Sequence, residues 1–147
     1  MLKNIPDCIS PELLKVLHEM GHGDRIVIGD ANFPAASVAA ARNHINIRCD
    51  GQRGTELLDA ILKLFPLDDF AEEPVLIMDK MPMHAELETP VWDAFRKVVA
   101  ANAPEMADRI GFLDRFQFYE EAKQAYAVIS TTEKAFYACI MLQKGCL

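Results

Sequence analysis

The hydrophobic pattern of the chain alternates between short continuous apolar runs and helical spacing. The runs Ile26-Val27-Ile28 and Val75-Leu76-Ile77-Met78 are typical of buried strands, because strands covered on both faces are apolar without alternation. The triplet Ser10-Pro11-Glu12 provides an N-cap, a first-turn proline and an acid near the positive end of a helix. Gly21 is expected to end that helix.

Along the whole chain, the pattern of apolar runs and helical spacing predicts a layered domain. Strands are predicted over 26–29, 45–47, 75–78, 110–113, 126–129 and 137–142, and helices over 11–20, 55–65, 91–101 and 118–125, with a loop or weak helix over 31–43. Strands that alternate with helices and then follow one another closely indicate an α/β/α fold with a mixed, mostly parallel sheet of about six strands. The chain is too short for two comfortable domains, so we expect a single domain over residues 1–147.

Composition excludes several partners. The formal net charge is −7, and no basic stripe interleaved with aromatic residues offsets the repulsion that a nucleic acid would meet. No apolar run approaches the roughly 18 residues that span a bilayer, and the N-terminus lacks the apolar core of a signal peptide. We therefore expect no nucleic-acid or membrane partner and a cytoplasmic location. Cys8, Cys49, Cys139 and Cys146 lack metal-ligand spacing, so we expect neither a disulfide nor a structural metal.

Two titratable side chains lie at opposite ends of the first predicted strand. His22 stands between Gly21 and Gly23, which allow sharp turns and leave the imidazole open to a ligand. Asp30 follows the apolar run, and ligands bind at the carboxyl ends of strands in open α/β sheets. On its own, Asp30 is equally well interpreted as an N-cap of the next segment. Together the two side chains predict an active site.

The run His18-Glu19-Met20-Gly21-His22 matches the His-Glu-x-x-His pattern of zinc metalloproteases. That site needs both imidazoles one turn apart on an unbroken helix. Here Gly21 should end the helix before His22, and Ile28 stands where a metzincin carries its third histidine. A zinc hydrolase is therefore the less favoured alternative.

Several segments together resemble the fucose mutarotase and ribose pyranase family of sugar-anomer isomerases. They are Gly-His-Gly-Asp at 21–24, Asp-Ala-Asn-Phe-Pro at 30–34, Arg-Phe-Gln-Phe-Tyr-Glu at 115–120, Tyr-Ala-Cys at 137–139 and Leu-Gln-Lys-Gly at 142–145. The likeness begins at Met1, and only the stretch between 44 and 102 is limited to a shared pattern of apolar runs. The segment 115–120 favours the fucose branch of the family.

The resemblance implies roles for four of these residues. His22 corresponds to the proton donor, and an imidazole suits proton transfer in both directions near neutral pH. Asp30, Arg115 and Tyr137 correspond to residues that contact the sugar. Without the resemblance, Arg115 would be interpreted as part of a surface ion pair and Tyr137 as an ordinary strand aromatic.

Two positions depart from the family pattern. Cys139 replaces an expected asparagine, and Thr132 stands where the family often has glycine. We keep Cys139 among the candidate substrate-binding residues. A thiol is a weak hydrogen-bond partner, so the departure bears on which sugar is preferred more than on the reaction.

The resemblance implies interconversion of the α and β pyranose anomers of a sugar, with L-fucose as the expected substrate, by acid–base ring opening and closure. This chemistry needs no metal, nucleotide or covalent nucleophile, so we expect no cofactor. It also implies self-association, commonly into ring-shaped decamers with sites near subunit boundaries. A sugar-binding or sensing module that has kept the pocket and lost catalysis is the main alternative, and Cys139 is its only support in the sequence.

Overall fold

The computed structural model describes all 147 residues and contains five α-helices and six strands. In chain order they are α1 (Pro11–Glu19), β1 (Arg25–Gly29), α2 (Ala35–Ala40), β2 (Asn46–Cys49), α3 (Gly54–Leu62), β3 (Val75–Met78), α4 (Pro90–Asn102), β4 (Ile110–Leu113), α5 (Arg115–Ala122), β5 (Ala127–Thr131) and β6 (Ile140–Gln143). Short 3-10 turns at Pro82–His84 and Pro104–Met106 flank α4.

The six strands form one mixed sheet in the order β2-β5-β1-β6-β3-β4. The pairs β2–β5, β5–β1 and β3–β4 are parallel, whereas β6 is antiparallel to both of its neighbours, β1 and β3. Five strands therefore run in one direction and β6 alone runs in the other. The predicted fold class, a mostly parallel mixed sheet of about six strands, is confirmed.

Helices cover both faces of the sheet. Alternate residues of β1 point to opposite faces, and the two apolar clusters divide accordingly. Ile26 and Ile28 pack with the larger cluster, which includes α1, α3 and α4, while Val27 packs with the smaller one, which includes α2 and α5. Both faces of the central strands are thus buried, which explains why β1 and β3 read as continuous apolar runs.

Helix α1 begins where the sequence predicts and ends at Glu19, one residue before the predicted end. The Ser10 side chain accepts a hydrogen bond from the backbone N–H of Leu13, and Pro11 opens the first turn. The helix ends at Glu19, because Met20 adopts an extended conformation with ψ of 136°. His18 and His22 consequently do not share a helix, so the structural premise of a zinc-protease site is missing.

Several predicted boundaries are wrong. Helix α5 begins at Arg115 rather than 118, because the Asp114 carboxylate caps it by accepting from the backbone N–H groups of residues 116 and 117. Helix α3 begins at Gly54 and ends at Leu62, rather than spanning 55–65. Strand β6 begins at Ile140, because Tyr137 has φ of 57° and cannot continue a strand.

The longest helix, α4, has 13 residues, and no helix in the chain is long and apolar enough to cross a bilayer.

Candidate active site

A cavity of about 320 Å³ opens at the carboxyl end of β1. Because β6 is antiparallel to β1 and β3, the residues that precede β6 meet the residues that follow those two strands at the same edge of the sheet. The cavity is lined by Asp30, Asn32, Phe33, Met78, His84, Arg115, Tyr119, Phe136, Tyr137 and Cys139. Its volume lies at the small end of ligand pockets and suits a monosaccharide.

Asp30 is the buried carboxylate of this cavity, with 8% of the residue exposed. The backbone N–H of Asn32 donates to its Oδ1 atom at 2.9 Å. Burial raises the pKa of the Asp30 carboxyl, although this backbone bond and the neighbouring Cys139 thiol act in the opposite direction. The carboxylate keeps unused acceptor sites, so it can receive hydrogen bonds from two hydroxyl groups of a ligand.

The Cys139 thiol lies against Asp30 and is itself only 2% exposed. Burial, followed by the negative charge of Asp30, raises the pKa of this thiol well above its ordinary value. Cys139 is therefore a neutral thiol with a weak donor toward the carboxylate.

Gly29 shapes the wall of the cavity by allowing a close approach of Phe33. A Cβ atom at position 29 would lie 2.7 Å from the Phe33 ring, a distance that no side chain tolerates. Phe33 then packs edge-on against Phe118 and tilted against Tyr119, with ring centroids 6.0 and 5.6 Å away. The glycine at the end of β1 thus positions an aromatic wall beside Asp30.

Arg115, the first residue of α5, has no acidic partner among the ion pairs of the protein. Its Nε atom donates to the Tyr119 hydroxyl at 3.1 Å, and its guanidinium lies over the Tyr119 ring. This hydrogen bond is the main reason that the pKa of Arg115 is raised. Its Nη1 group contacts only the weak acceptor Sδ of Met81, at 3.6 Å, and Nη2 makes no hydrogen bond within the chain, so the guanidinium can still donate to a ligand, which favours the binding interpretation over a surface ion pair.

Tyr137 enters the cavity from a left-handed backbone conformation, with φ of 57°. Its hydroxyl oxygen accepts from the backbone N–H of Met81 at 3.2 Å and lies 2.5 Å from the Nδ1 atom of His84. The ring is therefore held by its hydroxyl at one end and by a constrained backbone at the other.

His22 lies at the opposite edge of the sheet, before β1. Its Nε2 atom is 3.1 Å from Oδ1 of Asp68, and its side chain is 47% exposed. Asp68 is only 2% exposed and also accepts from the backbone N–H of Phe70 and from Nε2 of Gln143. Burial alone would raise the pKa of the Asp68 carboxyl, but the three hydrogen bonds outweigh it and hold this pKa below its ordinary value.

The structure therefore brings four of the five candidate residues together and leaves the fifth apart. Asp30, Arg115, Tyr137 and Cys139 line one cavity. His22 does not line it, because the five residues of β1 alone span about 13 Å at about 3.3 Å per residue. Within one chain, His22 and Asp30 cannot act on the same sugar.

Sequence reasoning missed two residues that contact the predicted ones. Asp68 lies 46 residues from His22 in sequence and His84 lies 53 residues from Tyr137, so neither contact leaves a local motif. A weak signal existed for Asp68 alone, since a carboxylate directly after the buried Leu67 has to find hydrogen-bond donors.

The fold and the cavity together define an α/β protein with a monosaccharide-sized polar pocket. Residues 3–147 match the RbsD / FucU transport protein family, and the chain belongs to that family. It is 44% identical to the fucose mutarotase of Mus musculus over 99% of this chain and 95% of that protein.

Two solved structures extend the similarity to three dimensions. FucU from Bifidobacterium longum is 49% identical, with a TM-score of 0.93 over 99% of both chains. The fucose mutarotase from Streptococcus pneumoniae, solved in complex with L-fucose, is 42% identical, with a TM-score of 0.89 over 99% of both chains.

Proposed function

We propose that this protein is a sugar mutarotase that interconverts the α and β pyranose anomers of L-fucose. One observation carries the proposal: a chain 42 to 44% identical to fucose mutarotases groups Asp30, Arg115 and Tyr137 around one cavity of monosaccharide size. A carboxylate, a guanidinium and a phenol offer both acceptors and donors to the hydroxyl groups of a neutral sugar.

The proposed reaction is ring opening followed by closure. The ring oxygen receives a proton, the anomeric hydroxyl loses one, and the same groups act in reverse after rotation about the first carbon–carbon bond. We assign His22 the acid–base role, and Asp30, Arg115 and Tyr137 the task of holding the pyranose. General acid–base catalysis of this kind contributes about 10²- to 10⁴-fold.

Because His22 and Asp30 lie at opposite edges of one sheet, we propose that a second copy of the chain supplies His22 to the cavity. Exposed apolar side chains stand at both edges and support such a contact. Phe70, whose ring centroid is 5.6 Å from that of His22, is 79% exposed. Met83 and Phe136, beside the cavity, are 76% and 62% exposed. A contact between two copies that covered these side chains would gain from removing their apolar surface from water.

Asp68 has a positioning role in this proposal. Its carboxylate faces Nε2 of His22, so an Nε2–H group donates to it and leaves Nδ1 to exchange a proton with the sugar. Gln143 and the backbone N–H of Phe70 hold the carboxylate in turn.

We propose that residues 1–147 act as one sugar-mutarotase domain, since all six strands belong to one sheet. A ring-shaped homo-oligomer is the assembly that we propose for it. A cytoplasmic location is proposed as well, because the four free cysteines fit a reducing compartment.

Saturation-transfer NMR tests the function directly. The purified protein, without added metal or cofactor, should transfer saturation between the anomeric protons of α- and β-L-fucose faster than buffer does. D-Ribose, L-rhamnose and D-galactose should be measured in parallel. If saturation transfer is observed only for another of these sugars, that sugar and not L-fucose is the substrate. Binding of L-fucose without transfer on any sugar would favour a sugar-sensing module instead.

Subunit complementation tests the shared site. Chains carrying His22→Ala and chains carrying Asp30→Ala should each be nearly inactive. Co-expressed, they should regain activity, because about one quarter of the sites in a randomly mixed ring combine an intact cavity with an intact His22. A chain carrying both changes, expressed alone, is the matched control. No recovery in the mixture would show that the two residues act from the same chain.

A further inference from the structure

The Tyr137 hydroxyl has an acceptor for its proton in the unliganded cavity. The backbone N–H of Met81 donates to the phenol oxygen at 3.2 Å, which occupies one of its acceptor sites. His84 Nδ1 lies 2.5 Å from the same oxygen, the shortest contact that this hydroxyl makes. When Nδ1 is unprotonated, the phenol O–H donates to it.

His84 is held in place although its side chain is exposed. It ends the short turn Pro82–His84, whose first residue is a proline with a fixed φ angle. The Lys80 ammonium donates to the backbone carbonyls of Ala85 and Leu87, at 3.1 and 2.9 Å, and so closes the loop around this turn. An exposed imidazole on an open loop would be mobile, whereas this loop fixes its position.

Tyr137 is held independently of His84. The indole N–H of Trp92 donates to the Tyr137 carbonyl oxygen at 3.0 Å, which stabilises the left-handed conformation of the residue. Lys80 lies 5.4 Å from the centroid of the Trp92 ring, so the same lysine supports both partners of the contact.

We propose that His84 is a positioning residue that accepts the proton of Tyr137 while the Tyr137 oxygen takes a proton from a sugar hydroxyl. In this step the anomeric O–H bond breaks and its proton bonds to Tyr137, as the former Tyr137 proton bonds to Nδ1 of His84. The freed electron pair forms the carbonyl bond of the open sugar. The electrons of the broken carbon–oxygen ring bond stay on the ring oxygen, which takes a proton from His22.

The same heavy-atom geometry serves both protonation states. Before the step, Tyr137 donates to His84; after it, the Nδ1–H of His84 donates to Tyr137, and the hydroxyl proton points to the sugar. Because phenols are poor bases at neutral pH and imidazoles are not, passing the proton on makes Tyr137 a competent acceptor. The inference rests on the proposed mutarotase function and adds a second proton acceptor to it.

The decisive variant is His84→Asn. An asparagine amide can place an oxygen near the position of Nδ1 and accept the Tyr137 hydrogen bond, but it cannot carry the proton onward. We expect kcat for L-fucose to fall at least about tenfold, with KM nearly unchanged. His84→Phe, which removes both functions, should lower kcat and also raise KM. His44→Asn is the matched control, because His44 is exposed, lies outside the cavity and has φ of 62°, which asparagine tolerates.

Tyr137→Phe shows whether His84 acts through the phenol. His84→Asn should cause no further loss of kcat in a chain that already carries Tyr137→Phe. A further loss of the same size would overturn the proposal. Wild-type kcat in the His84→Asn single variant would also overturn it and would leave the mutarotase proposal intact. If the wild-type protein exchanges no anomers, both proposals fail.

Discussion

The two ends of strand β1 each lie beside a buried carboxylate, and the surroundings of these two groups differ. Asp68, near the amino end, receives hydrogen bonds from an imidazole, an amide side chain and a backbone N–H group. Asp30, at the carboxyl end, receives a hydrogen bond from the backbone N–H of Asn32 at 2.9 Å, faces a neutral thiol, and is influenced more weakly by the backbone N–H groups of Phe33 and Ala138. The two are the only charged residues among the buried positions.

The difference separates a supporting role from a binding role. At Asp68 the hydrogen bonds outweigh burial and lower the pKa of the carboxyl, whereas at Asp30 burial outweighs the hydrogen bonds and raises it. A satisfied carboxylate orients a neighbour. An under-satisfied carboxylate in a cavity is ready to receive the hydroxyl groups of a ligand.

The largest expected effect follows from removing the imidazole near the amino end of β1. His22→Ala should lower the rate of anomer exchange by about 10²- to 10⁴-fold, because the acid–base group is lost. The fold should persist, since half of the side chain is exposed. Saturation-transfer NMR gives the rate, and circular dichroism checks the fold.

His18→Ala is the matched control for that variant. His18 is exposed at the end of α1 and lies outside the cavity, so its loss should leave exchange unchanged. A folded His22→Ala protein with the wild-type exchange rate would remove His22 from the chemistry. Equal losses in both variants would instead revive the zinc-site hypothesis.

At the other end of the strand, Asp30→Asn keeps the shape of the side chain and removes its charge. Hydrogen bonds to a charged group contribute about 1.5 to 3 kcal/mol, so L-fucose affinity and turnover together should fall about 10- to 150-fold. Calorimetric titration measures the affinity for L-fucose, and the rate of anomer exchange measures the turnover. Asp108→Asn, at an exposed position, controls for the loss of one negative charge. Unchanged binding and turnover would limit Asp30 to holding the turn through its hydrogen bond from the backbone N–H of Asn32, since Pro34 and not Asp30 stands at the N-cap position of α2.

Stability should respond in opposite directions at the two carboxylates. At neutral pH, Asp68→Asn should destabilise the fold by about 1 to 3 kcal/mol, because it disrupts hydrogen bonds to a buried charge. Asp30→Asn should be neutral or stabilising, because it removes a charge that burial disfavours. Urea unfolding measures both variants, with Asp69→Asn as the exposed control.

The pH dependence of these effects has opposite signs. The folded-state pKa of Asp68 is lowered, so its contribution is present above the unfolded-state value of about 3.9 and is lost as pH falls through the folded-state pKa. The folded-state pKa of Asp30 is raised, so its contribution is present below about 3.9 and is lost as pH rises through the folded-state pKa. If Asp68→Asn and Asp30→Asn changed the free energy of unfolding in the same direction at neutral pH, the proposed difference between the two carboxylates would be wrong.

These two ends also show how far the sequence could be interpreted. The apolar run 26–28 predicted β1, and the rule that ligands bind where parallel strands end predicted a site at Asp30. The resemblance to a family then added Arg115, Tyr137 and Cys139, which the structure places in the same cavity.

What the sequence could not predict depends on long-range contacts. The lining of the cavity depends on the topology, because Tyr137 and Cys139 reach the carboxyl end of β1 only when β6 is inserted between β1 and β3. The partners of His22 and Tyr137 come from loops that have no periodicity. Helix α5 begins at Arg115 because the Asp114 side chain caps it, and the weak apolar pattern of this helix did not indicate that start.

The smallest expected effect concerns the residue that departs from the family pattern beside Asp30. Cys139→Asn replaces a weak thiol donor by an amide that can donate to the Asp30 carboxylate, and a stronger donor lowers the pKa of that group toward its ordinary range. The added amide also faces the cavity, where it can form one hydrogen bond with a sugar. Because one hydrogen bond changes affinity only a few-fold, we expect a few-fold shift in relative activity among L-fucose, D-ribose, L-rhamnose and D-galactose. Exchange rates across the four sugars measure it, with Cys146→Asn at an exposed thiol as the control. An unchanged ranking in a folded Cys139→Asn protein would assign Cys139 to packing alone, and sugar selection would then rest on Arg115 and Tyr137.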